Sequence, residues 1–551
     1  MQRSEYLQRL ETETFDLCIV GGGASGAGCA LDAALRGLKV ALIEKTDFAA
    51  ETSSRSTKLV HGGVRYLEQA FTNLDFSQLR QVRHGLSERH TLLRNAPHLA
   101  HPLGFITPVF SWWEGLYFFL GLQLYGWFSS GSDRLPKSRW LRKKEVLRTM
   151  PGISKKIHSG ILYYDGQLDD ARYCLALIQS AAAAGAVVVN YVAVTDFQKN
   201  SAGKITAATV NNTLPNTGLQ QITVKATRFL NCCGPYADRI RWMANPLQQP
   251  RISPSKGVHL LLPWDFLGSQ HGMLIPKTSD GRVVFAIPFE GKMLLGTTDE
   301  PHTDIILEPT LMAVEVDFLI QTLQPFLAKE IDKKDVKAGF AGLRPLVSAS
   351  KAGSNSTQTT KTLLRDHEVE IDSVSGLISL LGGKWTTYRL MAQDAIDAVC
   401  RQLNVQASCT TATHPLAGAA GWEENLFKKI ASTYGFDADV SQHLAGKYGV
   451  HAHALGEMVV RQPDLGQRIV PEYPYIRAEV VYAAQAEMAM TIRDFLARRV
   501  RLEFLDWKAA IDAAPEVGRL LGATLGWEAS ERDANTKAYV ELIASFQNKL
   551  L

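Results

Sequence analysis

The sequence predicts an α/β fold in three parts: a parallel-sheet domain assembled from separated segments, an antiparallel-sheet domain inserted in it, and a helical C-terminal domain. Three observations predict it. A strand, a glycine turn and a helix open the chain, and two more strand-to-glycine junctions follow far downstream, near residues 231 and 382. Residues 250–300 alternate as antiparallel strands do. After about residue 408 the composition shifts to helical stretches broken by Gly and Pro. A chain of 551 residues has room for two or three such domains.

The first strand, residues 15–20, runs into Gly21-Gly22-Gly23-Ala24-Ser25-Gly26 and a helix to Leu35. A second strand, 39–43, ends at Glu44. Gly21 permits the tight turn, Gly23 lets the backbone approach a pyrophosphate, and Gly26 lets helix and strand pack closely. The helix N-terminus offers free N–H groups to phosphates. Glu44 stands where a carboxylate accepts bonds from ribose hydroxyls. This is a Rossmann-like dinucleotide site, with Ala24, Ser25 and Lys45 beside it.

Further along, Gly62-Gly63 ends the first unit, and a helix begins at residues 64–68 and continues to about Asn95. Residues 105–128 are unusually aromatic, and Arg134, Lys137, Arg139, Arg142, Lys143 and Lys144 follow. A helix is expected at 171–184 and a strand at 187–194, with Val194 at the cofactor side. Strands are clearest at 258–262, 283–287 and 292–295, a helix at 315–327, and a strand at 377–381 before a helix from Thr386. The expected domains are 1–68, 157–240 and 340–405 for the cofactor, 69–156 and 241–339 for the substrate, and 406–551 helical.

Composition excludes several classes. A net charge of +4 does not argue for nucleic acid. Seven cysteines form no CxxC pair, so no zinc site is expected, nor any other metal, and the compartment is expected to be reducing. Residues 1–14 carry no apolar signal region, and no segment offers about 20 clean apolar residues to span a bilayer.

The first fingerprint fits FAD or NAD; the later motifs favour FAD. Thr52-Ser53-Ser54 and Lys58-Leu59-Val60-His61-Gly62-Gly63 bring hydroxyls, a lysine and open backbone just past the ribose position. Gly382-Gly383-Lys384-Trp385-Thr386-Thr387 is a second strand–glycine–helix junction, useful to a long cofactor with a ring system to hold. Gly234-Pro235 marks a third.

These motifs together resemble the FAD-dependent glycerol-3-phosphate dehydrogenases, within the D-amino-acid-oxidase-like flavoproteins. The matching residues include Gly21 to Gly28, Lys58 to Glu68, Lys256 to His259, Gly296 to Asp299, Gly342 to Leu346, Arg365-Asp366 and Gly382 to Arg389. The resemblance implies oxidation of sn-glycerol 3-phosphate to dihydroxyacetone phosphate, with FAD as hydride acceptor. It places Arg65, Tyr66, Arg344 and Arg365 at the substrate, with His61, His259 and Lys384 nearby. Arginine forks suit a phosphate ester. A histidine suits the proton of the alcohol: His259 is the first choice and His61 the second. Arg344 or Lys384 would stabilise the developing alkoxide.

No long insert of the oxygen-using branch is seen, which favours a quinone as electron acceptor. No D-x-[DN]-x-[DN]-G loop of the mitochondrial members is seen either, which favours a bacterial-type enzyme on the inner face of the cell membrane, peripherally attached. Residues 105–128 and the basic stretch 491–502, with Arg493, Arg498, Arg499 and Arg501, are the two candidate membrane segments. The oligomeric state stays open between a monomer and a homodimer. Residues 348–363 form a polar loop that makes Arg365 harder to place than Arg344. The alternatives are an oxygen-using glycerol-3-phosphate oxidase and a dehydrogenase of the same fold for another hydroxy acid or amine.

Overall fold

The computed structural model describes residues 1–62, 76–128, 135–214, 221–276, 278, 282–302, 304–305, 308–348 and 367–550. Two sheets organise them. In the first, strand Thr14–Val20 lies at the centre, parallel to Val40–Ile43 on one side and to Gln221–Asn231 on the other. Val187–Val189 and Ile378–Gly382 extend the parallel run outward, and His367–Ile371 closes one edge antiparallel. Alternate side chains of the central strand go to opposite faces. Leu17 and Ile19 join a core with helices Ala24–Leu35, Asp170–Ala183 and Tyr388–Leu403. Cys18 and Val20 join a second core under the antiparallel flap Val192–Lys199, Ile205–Asn212 and Gln221–Asn231. Both faces are therefore covered, which is why Val40–Ile43 is apolar throughout and wholly buried.

The strand expected at 187–194 is two strands. Tyr191 takes a left-handed conformation, φ +56°, between Val187–Val189 and Val192–Lys199, and its hydroxyl donates to Asp494 at 2.6 Å. That polar anchor holds a conformation unusual for a bulky residue.

Among the described residues the second sheet has ten strands, almost all antiparallel. Ile252–Pro263 pairs with Lys292–Gly296 and Glu300–Pro301 on one side and with Ala338–Val347 on the other. Ala100–Val109 pairs along its length with Ser159–Leu168. The domain bounds read from the sequence need correction here. Residues 159–168 and 338–347 belong to this sheet, as does Leu59–Val60, not to the cofactor domain. No strand is expected at these residues from the sequence, and only their partners in the fold reveal which sheet they join.

The C-terminal part is helical, and its core, with Trp507, Val517 and Leu521, is continuous with that of the second sheet. Residues 491–502 overturn one reading. They present no basic surface: Arg498, Arg499 and Arg501 are buried. Asp494–Arg499 is a π-helical turn, with Val500 N–H donating to Phe495 C=O. The widened turn breaks the 3.6-residue spacing on which an amphipathic face depends. Arg493 pairs with Glu308 and Glu503, and the other three pair inward.

Candidate active site

A cavity of about 340 Å³ runs from the glycine turn to the second glycine junction. At its first end Gly21 has φ +111°, and a Cβ there would stand 2.7 Å from the Cys232 carbonyl oxygen. Gly26 packs directly on the turn, since its Cβ would fall 1.8 Å from the Gly21 carbonyl oxygen. The helix start is held by Ser53, whose Oγ accepts from Ala24 N–H at 2.9 Å. Glu44 accepts from Gly22 N–H at 2.7 Å, and from the Thr46 N–H and hydroxyl at 2.9 and 3.0 Å. A carboxylate has about four acceptor positions. Three of those of Glu44 are taken within the protein.

At the other end Gly382 and Gly383 have φ +75° and +85°, and a Cβ on Gly383 would collide with the Met391 sulfur. The two ends are tied together: Trp385 Nε1–H donates to the Ser53 carbonyl at 2.9 Å. Gly21, Gly23, Ala24, Ser25, Glu44, Lys45, Thr52, Ser53, Val194, Gly234, Gly383, Lys384 and Trp385 all line the cavity. A long cofactor with an acid-bound ribose at one end fits this wall: a carboxylate, a helix start and two hydroxyls at one end, a lysine at the other. FAD has that form.

Other expected cofactor residues act behind the wall. Lys58 is fully buried, and its Nζ donates to Asp170 at 2.8 Å and to the carbonyls of Ser54 and Ser56. Burial, helped by Arg501 and opposed by Asp170, pushes its pKa down to about 7. Ser54 lends its carbonyl to Lys58 and to Arg501. Leu59 is a buried strand residue, Gly62 N–H donates to Tyr125, Thr386 Oγ1 accepts from His61 N–H at 3.3 Å, and Thr387 caps a turn on Lys384. Gly63, Arg65, Tyr66 and Arg365 lie outside the described residues, as do the helix expected at 64–68 and nearly all of loop 348–363.

Beside this wall the second sheet presents one working face. Gly257 and His259 lie two apart on strand Ile252–Pro263 and so share a face. A Cβ on Gly257 would meet the Arg344 guanidinium at 2.5 Å, so Arg344 lies over that glycine. The His259 ring lies over Gly296, where a Cβ would meet it at 2.2 Å. Phe285 is directly across from Gly296, and the His61 ring stands 6.3 Å from the Phe285 ring. Two glycines thus clear a floor for Arg344 and His259, and the His61 ring stands near Phe285 across the same sheet.

Arg344 is held rigidly. It donates to Asp299 at 3.2 Å, to Thr297 Oγ1 at 3.1 Å and to the Thr298 carbonyl at 2.9 Å. Its strand is joined to the cofactor loop through Thr52 Oγ1–H, which donates to the Leu343 carbonyl at 2.7 Å. His259 is only 2% exposed, stacks on Phe340 at 4.9 Å, and has Nε2 paired with Thr57 Oγ1 at 2.9 Å. Burial first, then the Lys58 and Arg344 charges, hold its pKa well below the usual histidine value. His61 is half-buried.

Several cavity residues escaped the sequence reading, Tyr236 and Arg239 among them. Lys45 Nζ lies 4.0 Å from the Tyr236 ring centre and the Arg239 guanidinium 5.5 Å away. The signal was present in the junction ending at Gly234-Pro235, which leads straight into helix Ala237–Ala244.

Residues 16–389 match the family described as FAD dependent oxidoreductase, and residues 409–532 match the C-terminal domain of alpha-glycerophosphate oxidase. The chain is similar to a probable mitochondrial glycerol-3-phosphate dehydrogenase of Caenorhabditis elegans, with 42% identity over 95% of this chain and 72% of that protein. It is 40% identical to the mitochondrial glycerol-3-phosphate dehydrogenase of Homo sapiens, over 96% of this chain and 73% of that one. Among solved structures it is similar to the glycerol-3-phosphate dehydrogenase of Bacillus halodurans complexed with FAD, with a TM-score of 0.79 and 28% identity, over 98% of this chain and 97% of that one.

Proposed function

Since the chain belongs to the FAD-dependent oxidoreductases, and within them to the glycerol-3-phosphate dehydrogenases, we propose that it oxidises sn-glycerol 3-phosphate to dihydroxyacetone phosphate and passes the electrons to a quinone. The observation that carries this reading is the common floor of Arg344 and His259 beside the cofactor wall, with the His61 ring near Phe285 across the same sheet. FAD, when bound, supplies the acceptor for the hydride leaving C2. Arg344 meets substrate oxygen with a guanidinium already fixed by Asp299, Thr297 and Thr298, so little reorganisation is needed as charge develops. Arg65 and Arg365 are proposed phosphate ligands, Tyr66 an orienting residue, and Lys384 a second cation at the far cavity end.

The proton-accepting role goes to His61. His259 was the first choice, but its Nε2 is already engaged by Thr57 and its ring is almost wholly buried. A base needs hydrogen-bond reach to the proton it takes. His61 is the more accessible of the two. His259 then serves as a neutral wall beside the substrate.

The reading includes peripheral attachment to the inner face of a membrane, since quinones reside in lipid. Helix Trp112–Phe128 supports it. Trp113, Tyr117, Leu120 and Leu124 follow helical spacing along one face, and that face is outward: Trp113 is 73% exposed and Tyr117 56%. Exposed Lys137, Arg139, Arg142, Lys143 and Lys144 flank it, held close by Gln123 donating to the Ser138 carbonyl and by Trp140 against Gly115. An apolar aromatic face beside basic side chains suits an anionic lipid surface. Among the described residues no helix is long and apolar enough to cross a membrane.

Anaerobic addition of sn-glycerol 3-phosphate should bleach the bound flavin, and a quinone analogue should restore turnover faster than oxygen. Absence of bleaching would overturn the substrate. Faster reoxidation by oxygen would make the oxidase alternative correct.

A further inference from the structure

We infer that Tyr125 is a positioning residue for this reaction, holding the His61–Gly62 backbone so that the His61 imidazole meets the substrate hydroxyl. The inference rests on the role proposed above for His61. The Tyr125 hydroxyl accepts from Gly62 N–H at 2.7 Å and donates to Asp165 Oδ2 at 2.9 Å. Asp165 Oδ1 accepts from Arg89 at 2.7 Å. Tyr125, Asp165 and Arg89 are all buried. They come from three elements: helix Trp112–Phe128, strand Ser159–Leu168 and helix Phe76–Asn95. A phenol has one proton to donate, and giving it to Asp165 turns a lone pair toward Gly62. Burial, reinforced by the Asp165 charge, raises the Tyr125 pKa far above its usual value, so the proton stays on the phenol.

Sterics close the clamp from the other side. A Cβ on Gly62 would stand 2.7 Å from Leu86 and 3.0 Å from the Tyr125 hydroxyl oxygen. A Cβ on Gly85 would stand 2.9 Å from Gly62 Cα. The peptide is therefore pressed between helix Phe76–Asn95 and Tyr125, while His61 N–H is tied to Thr386. One hydroxyl thus sets where the residue after His61 sits.

Tyr125→Phe keeps the ring and removes only the hydroxyl. Single-turnover flavin reduction should slow about tenfold or more, on the scale of a small misplacement of a reacting group. Flavin content and substrate affinity should be unchanged, and hydrogen exchange at the Gly62 amide should quicken. In a His61→Gln background the same change should add no further loss, because both act at one step. A wild-type reduction rate per bound flavin in Tyr125→Phe would overturn the inference, as would an equal loss in the His61→Gln background. A slow His61→Gln with a normal Tyr125→Phe removes this inference alone. A normal His61→Gln removes the proposed base, and this inference with it. Gly85→Ala presses the same peptide from the opposite side and should also slow reduction. If Tyr125→Phe fails to fold, a normal rate in Gly85→Ala would overturn the inference by itself.

Discussion

Arg499 of the helical domain grips Asp47 of the cofactor domain with both side chains fully buried: Nη1 lies 2.5 Å from Oδ2 and Nη2 3.0 Å from Oδ1. Arg498 adds a third bond to the same carboxylate, and Arg499 also donates to the Glu487 carbonyl. Asp47 stands three residues beyond Glu44, and Arg501 reaches the Ser54 carbonyl and Asp170. The helical domain is thereby fastened to the loop that carries the cofactor wall. Burial works against the Asp47 charge, but the two arginines outweigh it and hold the carboxyl below its usual range. Removing one partner strands a buried charge. Asp47→Ala should cost about 3–5 kcal/mol in denaturant unfolding of the FAD-saturated protein. A loss within about 0.5 kcal/mol, the scale of ordinary surface changes, would show that the grip contributes nothing.

Arg344→Lys keeps the charge and loses the planar fork that Asp299 and the Thr297–Thr298 segment hold. Turnover should fall about a hundredfold or more, the scale of losing one preorganised donor. Arg365→Lys should mainly raise KM, as for a ground-state phosphate ligand. Steady-state kinetics on both variants checks the assignment, and interchanged effects would reverse the two roles.

Trp113→Glu with Leu120→Glu places charge on the outward face of helix Trp112–Phe128 without touching its buried side. The variant should lose co-sedimentation with anionic vesicles while keeping its turnover in solution. Wild-type binding should weaken at high salt as the basic flank is screened. Undiminished binding of the double variant would exclude this face.

Acid should destabilise the protein through buried histidines. Burial pushes the His98 pKa down to about 3 and lowers those of His101 and His259. The unfolded chain takes up these protons near the ordinary 6.5 and the folded one does not, so stability falls as pH drops below that value. Each fully neutral histidine contributes a slope of about 1.4 kcal/mol per pH unit. Lys58, lowered to about 7 by burial, gives the same sign higher up, with stability rising between its folded and unfolded values. Urea unfolding of His98→Gln at several acidic pH values should show a shallower slope than wild type. An unchanged slope would mean that His98 titrates in the folded state.

Much of the cofactor site is local, and local structure is legible in a sequence. Gly21, Gly23, Gly26 and Glu44 act within one strand–turn–helix unit, where the spacing of residues is the spacing of atoms. The same holds for Gly382-Gly383, although only the fold shows Trp385 binding Ser53 across 332 residues. What the tertiary structure decided is everything that depends on strand partners and burial. Residues 159–168 and 338–347 are not singled out as strands in the sequence; pairing with Ala100–Val109 and Ile252–Pro263 makes them strands of the second sheet. Two glycines in neighbouring strands, Gly257 and Gly296, gave Arg344 and His259 a common floor. The arginines of 491–502 read as a wet basic face, because a sequence pattern records charge without its counter-charge. Asp47 and Asp170 lie far away along the chain, and only folding brought them near enough to draw those arginines inside.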